Sequence, residues 1–314
     1  MLYGLLSGIL WGLDTVILGI ALAMTPFIST EQAIFLAPFV STFLHDICSS
    51  IWMSIYMLIK KEFKRTLIAA NTKSGRFIIL GALLGGPVGM TGYLLAIKYI
   101  GPAYTAIISS LYPAVGALLS YIFLKEKMKT ISIIGLLISI SGIIILGYAP
   151  GGEVENLALG FVFAMVCVIG WASEAVICSY GMKENDISPE QSLQVRQLTS
   201  AVVYGFLIIP IVKGAKFTIS ILPNATSLVI VLAALAGTAS YVFYYKGIHK
   251  IGPTKAMSLN ITYSAWSIIF GMLILGNSTD LKSVFCCVII MIGSIMAAGD
   301  IKEIKSIFSK KEMR

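Results

Sequence analysis

Ten apolar stretches, each 19 to 27 residues long, take up most of the chain: 2–22, 33–59, 76–98, 103–124, 130–148, 158–181, 188–212, 226–247, 254–276 and 281–299. At 1.5 Å of rise per residue, each can cross a hydrocarbon core of about 30 Å. Backbone polar groups cannot be left unpaired in lipid, so such a pattern restricts the chain to membrane-spanning helices. The expected fold class is an all-α polytopic membrane protein with ten transmembrane helices and no room for a soluble domain. Composition agrees, with 57% of residues hydrophobic and 12% charged against roughly 25% charged in soluble domains. The first stretch starts at Leu2 with no basic residues ahead of it, which predicts a retained helix and not a cleaved signal peptide.

The net charge of +8 reads as a topology signal and gives no reason to expect a nucleic-acid partner. Lysine and arginine number six in 60–76, three in 125–129, one at 183, three in 246–255 and five in 302–314. The opposite loops hold only Lys98, Lys213, Lys216 and Lys282, and Arg196 lies inside a span. This asymmetry predicts that both termini and the basic loops are cytoplasmic, with anionic membrane lipid as a natural partner.

The chain repeats itself. Ile100-Gly101-Pro102 and Tyr112-Pro113 are matched by Ile251-Gly252-Pro253 and Tyr263-Ser264 at a constant offset of 151 residues, which also aligns Gly86 with Gly237 and Tyr93 with Tyr244. Trp11 aligns with Trp171 at an offset of 160. Two five-helix repeats are expected, residues 1–148 and 158–299, joined by an external linker at 149–157 and followed by a basic cytoplasmic tail at 300–314. Five is odd, so the second repeat enters the membrane in the opposite sense, an arrangement that transporters use with a site at the midplane. Gly85-Gly86-Pro87, Tyr112-Pro113 and Pro210 are expected to bend or open their helices. Small residues from Gly135 to Gly142 are expected to permit close helix packing.

Within this frame the acids and aromatics stand out. Trp11 precedes Asp14 by three residues and Trp171 precedes Glu174 by three, which puts each acid on the same helical face as its tryptophan. A carboxylate at mid-membrane costs about 2.5–3.5 kcal/mol on insertion scales, so something must compensate it. Three roles are open to Asp14 and Glu174: counterion to a ligand, proton acceptor coupled to transport, or protonated acid bonded to nearby serines. His45-Asp46 and Arg196-Gln197 occupy similar places in the second span of each repeat, and Asp46 and Arg196 could neutralise one another or serve a substrate. Asn260, Tyr263 and Trp266 recur every three residues, Tyr241, Tyr244 and Tyr245 form a second stripe, and Tyr112 adds a further ring. These rings either pack in the core and against lipid or converge as a cage for a desolvated cation, which each ring face attracts by roughly 0.5–2 kcal/mol. The five cysteines all fall within spans and lack metal-ligand spacing, and no phosphate-binding loop, HExxH or GxSxG motif is present. No metal, cofactor or catalytic residue is expected.

The ten-span pattern resembles the drug/metabolite transporter superfamily, in its EamA-like branch. Several segments are similar to the bacterial LicB-type choline permeases: Gly4 to Gly12, Gly81 to Met90, Lys98 to Gly101, Tyr112-Pro113-Ala114, Trp171 with Ser173-Glu174, Arg196-Gln197, Tyr244-Tyr245, and Asn260 with Tyr263 and Trp266. The resemblance implies a proton- or potential-driven importer of choline in the bacterial inner membrane, with an aromatic cage for the trimethylammonium head. That cage falls on Trp11, Tyr112, Trp171, Tyr241 and Tyr244, and the full expected binding set adds Glu174, Tyr263 and Trp266. Asp14, His45, Asp46, Glu174 and Arg196 are the expected counterion or coupling residues. Asp14 is a position where the family is not expected to hold an acid. The rival readings are an exporter of amino acids or amphipathic metabolites and a cationic-drug/proton antiporter.

Overall fold

The computed structural model describes residues 1–147, 155–183, 186–276 and 278–299, which are helical with no strand. The expected tail at 300–314, and the linker at 149–157 except for its last three residues, lie outside the described residues. Among the described residues, nine helices are long and apolar enough to cross a membrane: α1 (Leu2–Leu22), α2 (Glu31–Ile59), α3 (Lys73–Gly101), α4 (Tyr104–Leu124), α5 (Thr130–Gly147), α6 (Leu157–Gly181), α7 (Pro189–Ile211), α8 (Ala225–Ile251) and α9 (Pro253–Leu275). The shorter apolar α10 (Leu281–Ala297) is the tenth. Each falls within a few residues of its expected stretch. Polar side chains set several starts. The Thr30 hydroxyl accepts the Ala33 N–H ahead of α2, Ser188 and Gln191 form a reciprocal capping box on α7, and Asp280 accepts the Ser283 N–H ahead of α10. The Ser283 hydroxyl, and after it that backbone bond, holds the exposed Asp280 carboxyl below its ordinary range. Side chains such as Phe206, 83% exposed, project outward as a lipid-facing surface requires.

The packing of one half is echoed in the other. Helix α1 of the first repeat packs on α8 and α9 of the second, and α6 of the second packs on α3 and α4 of the first. The equivalent helices α2 and α7 touch each other, as do α5 and α10. Unusual backbone recurs at nearly the same spacing: positive φ at Lys61 and Lys213, at Gly101 (φ 76°) and Gly252 (φ 84°), and at Lys125 and Gly276. The chain is thus a ten-helix bundle of two inverted five-helix repeats.

Both α4 and α9 are interrupted near their centres, α4 at Ser110–Leu111 and α9 at Ile261–Thr262. Carbonyls near the breaks are met by local hydroxyls. Ser109 and Ser110 donate to the carbonyls of Ala106 and Ile107, and Thr262 and Ser264 to those of Leu259 and Ile261. This is how a broken helix is tolerated at membrane depth. The Gly85-Gly86-Pro87 segment widens α3 into a π-helical stretch, Leu84–Met90; others end α4 at Ser120–Leu124 and precede Pro210 in α7 at Tyr204–Ile208.

Small residues set how closely the helices approach. On α3, Gly81, Gly85 and Gly89 form a ridge four residues apart, where an added Cβ would collide with Cys178, Glu174 and Trp171 of α6. On α5, Gly135, Ser139 and Gly142 lie against α10, where the Ser139 and Ser294 hydroxyls are 2.8 Å apart. Ser141 instead bonds within its own helix.

Candidate substrate site

Trp11, Tyr112, Trp171, Glu174, Tyr241, Tyr244, Asn260 and Tyr263 line a cavity with about 450 Å³ of atom-free space, its opening included. Seven of these eight are residues expected from sequence to bind substrate. Repeat symmetry explains the convergence. Trp11 and Trp171 are mates on α1 and α6, and Tyr112 and Tyr263 each start the helix that follows the break in α4 or α9. Sites between inverted repeats draw on such interrupted helices.

The rings meet mostly edge to face. Trp11 is 4.8 Å from Tyr241 at 68°, Tyr112 is 5.8 Å from Trp171 at 89°, and Tyr241 is 6.3 Å from Tyr244 at 75°. Tyr93 stacks on Trp171 at 5.4 Å, which fixes the indole. Tyr112 donates its hydroxyl to Asn260 Oδ1 at 3.0 Å, and Asn260 Nδ2 donates to Ser7 Oγ at 3.1 Å. Trp266 does not line the cavity. Asn260 and Tyr263 reach the cavity from either side of the break at Ile261–Thr262, whereas Trp266, one turn beyond Tyr263, lies beside Phe270 with its backbone against Gly12.

Glu174 is the acid of the cavity wall, and it is 5% exposed. Its Oε1 accepts Arg196 Nε at 2.9 Å and the Tyr245 hydroxyl at 2.9 Å, while Oε2 lies against Gly85. Arg196 also donates to Gln197 Oε1 at 2.9 Å and to the Tyr241 hydroxyl at 3.1 Å, with its guanidinium carbon 4.7 Å from the centre of the Tyr241 ring. One aspect of Tyr241 is therefore already taken by a cation. The Asp46–Arg196 pair considered from sequence is present at 3.7 Å, but the guanidinium sits closer to Glu174. Ser200 donates to Asp46, and His45 Nδ1 is 3.9 Å from Asp46.

Asp14 does not reach the cavity wall. It accepts His45 Nε2 at 3.1 Å, behind the aromatic layer. Gly237 of α8 is the neighbour that makes room, since a Cβ there would meet both His45 and Asp14. Of the two acids for which three roles were open, Glu174 lines the cavity and Asp14 does not. The equivalence of Asp14 with Glu174, and of His45 with Arg196, was the sequence signal for an acid–base pair within each repeat. The bond from Tyr245 to Glu174 had no such signal.

A ten-helix inverted-repeat bundle with a polar-edged aromatic cavity at its centre defines a membrane transporter. The chain belongs to the EamA-like transporter family, whose model matches residues 1–148 and 158–299. It is 34% identical over 275 residues to Protein LicB of Haemophilus influenzae, covering 87% of this chain and 88% of that protein. An uncharacterized transporter of Clostridium kluyveri is 23% identical, covering 73% of this chain and 75% of its own length. A solved crystal structure superposes with a TM-score of 0.70 at 17% identity, covering 94% of this chain and 96% of that one, a likeness of fold alone.

Proposed function

We propose that this protein imports choline, or a closely related quaternary ammonium, across the bacterial inner membrane by alternating access. The observation that carries the reading is the composition of the cavity wall, six aromatic rings with a single carboxylate among them. A quaternary ammonium has no N–H to donate, so it loses little on leaving water, and ring faces attract it by roughly 0.5–2 kcal/mol each. The buried charges favour a cation as well. Asp14, Asp46 and Glu174 outnumber Arg196 and His45 whatever the protonation of the imidazole. An amphipathic or zwitterionic metabolite would leave that excess uncompensated.

The two repeats, 1–148 and 158–299, would rock about the interrupted helices, with both termini in the cytoplasm. An inside-negative potential supplies about 2.3 kcal/mol per 100 mV for a monovalent cation, roughly fifty-fold accumulation by the tenfold-per-1.4 kcal/mol relation. The test is labelled choline uptake into proteoliposomes under an imposed inside-negative potassium diffusion potential. The expected result is uptake above protein-free vesicles that excess unlabelled choline abolishes. Uptake indifferent to unlabelled choline, or absent with and without a pH gradient, removes choline as the substrate.

A further inference from the structure

The buried charged residues of the described chain are five, Asp14, His45, Asp46, Glu174 and Arg196, and they form one cluster. Repeat symmetry divides four of them into two acid–base pairs. Glu174 of α6 and Arg196 of α7 meet at 2.9 Å beside Gly85 and Gly86 of α3. Asp14 of α1 and His45 of α2 meet at 3.1 Å beside Gly237 of α8. The first pair faces the cavity and has a base that is always charged. Neither residue of the second lines the cavity, and its base, an imidazole, is one that can gain or lose a proton. Asp46 lies between them, 3.9 Å from His45 and 3.7 Å from Arg196.

We propose that the Asp14–His45 pair is the binding site for a proton carried with the substrate, and that Glu174 is a substrate counterion and no proton carrier. This inference rests on the cation-import reading above. Glu174 is a poor proton acceptor as placed, because Arg196 Nε and the Tyr245 hydroxyl both donate to the same oxygen. His45 is suited to the task because a carboxylate stands near each ring nitrogen. Protonated, the imidazolium carries an N–H toward both. Deprotonated, it keeps one N–H, so either the bond to Asp14 or the contact with Asp46 is lost, and Asp46 still has Ser200 and Arg196. The groups that face the pair are Asp46 on its own helix, Arg196 beyond Asp46 on α7, and the hydroxyls of Tyr241 on α8 and Tyr204 on α7, which lie within electrostatic reach of Asp14 and Asp46.

Charge balance then couples the proton to the substrate. With His45 protonated the cluster carries three negative and two positive charges, and one monovalent cation in the cavity brings it to zero. With His45 neutral, the loaded cluster keeps one buried negative charge, which a low-dielectric interior disfavours. The proton enters from the outer solution as a new N–H bond on the imidazole. It leaves to the inner solution when that bond breaks, so proton and cation travel in the same direction.

The deciding experiment is choline binding to the purified full-length protein between pH 5.5 and 11, read by quenching of tryptophan fluorescence, together with potentiometric titration of the ligand-free protein. In the wild type, Kd should rise tenfold per pH unit above the titration of the pair, and choline addition should take up protons there. In His45→Gln the Kd should be flat with pH and the ligand-free titration should lose one group. Asp14→Asn should displace that group without removing it. A flat wild-type profile, or a pH dependence that survives in His45→Gln, overturns the inference. If choline binds at no pH, the substrate reading fails by itself. The ligand-free titrations then judge the pair, and an unchanged curve for His45→Gln overturns the proton site.

Discussion

Glu174 shows how much a single side chain depends on what is missing opposite it. Its carboxylate reaches the cavity edge because Gly85 has no Cβ, and an added methyl would run into both the carboxyl carbon and Oε2. Gly85→Ala should therefore displace Glu174 from Arg196 and lower choline affinity by tenfold or more, whereas Gly19→Ala, with open space around it, should bind like wild type. Fluorescence titration of the two variants checks this. Trp171 is the second such residue, held between the stacked Tyr93 ring and the edge of Tyr112. Trp171→Ala should weaken choline binding at least tenfold, about 1.4 kcal/mol, with an unchanged elution profile in detergent. Unaltered affinity in that variant would remove the cage as drawn.

At the level of elements, the breaks in α4 and α9 bring Tyr112 and Tyr263 to the cavity, and special backbone holds the adjoining turns. Gly252 has φ 84° and ψ 156°, a conformation essentially confined to glycine, and a Cβ there would crowd the Glu126 carboxylate, which also accepts the Thr254 hydroxyl at 3.1 Å. Burial pushes the Glu126 carboxyl up from its ordinary value, against the pull of Thr254, Lys183 and Lys255. Gly252→Ala should cost about 1–3 kcal/mol, seen as a lower melting temperature in detergent. Gly276→Asn, at a left-handed position in open space, should be nearly neutral. The spans and the break in α4 were legible in the sequence because membrane length, glycine and proline act locally, whereas the break in α9, where serine and not proline follows Tyr263, was not expected. Seven of the cavity residues were legible because tryptophan, tyrosine and a mid-span acid are conspicuous in an apolar run. Trp266 was misplaced because a step of three residues turns a helix by about 300°, so the stripe drifts off the cavity face as it runs one turn beyond Tyr263. The bond from Tyr245 to Glu174 was hidden because a pairing 71 residues away depends on how α6 and α8 lean together.

For the whole molecule, the repeats account for the position of the site and the lysines for its orientation. Cysteines placed at the exposed Lys64 and Lys127 should react with an impermeant maleimide only from the cytoplasmic side, and one at the exposed Lys216 only from outside. Labelling of all three from one side would overturn the proposed topology. The halves share a chain trace but not a winding. Helix α3 is wide at Leu84–Met90, while its counterpart α8 is α-helical from Ala225 to Ile251. Under the proposed alternating access, two like parts held in unlike shapes contain both ends of the stroke. Were the halves to trade shapes, the slack turn would leave α3 and enter α8 around Gly237 and Tyr241, loosening the seat of Asp14 and His45 as that of Glu174 tightened.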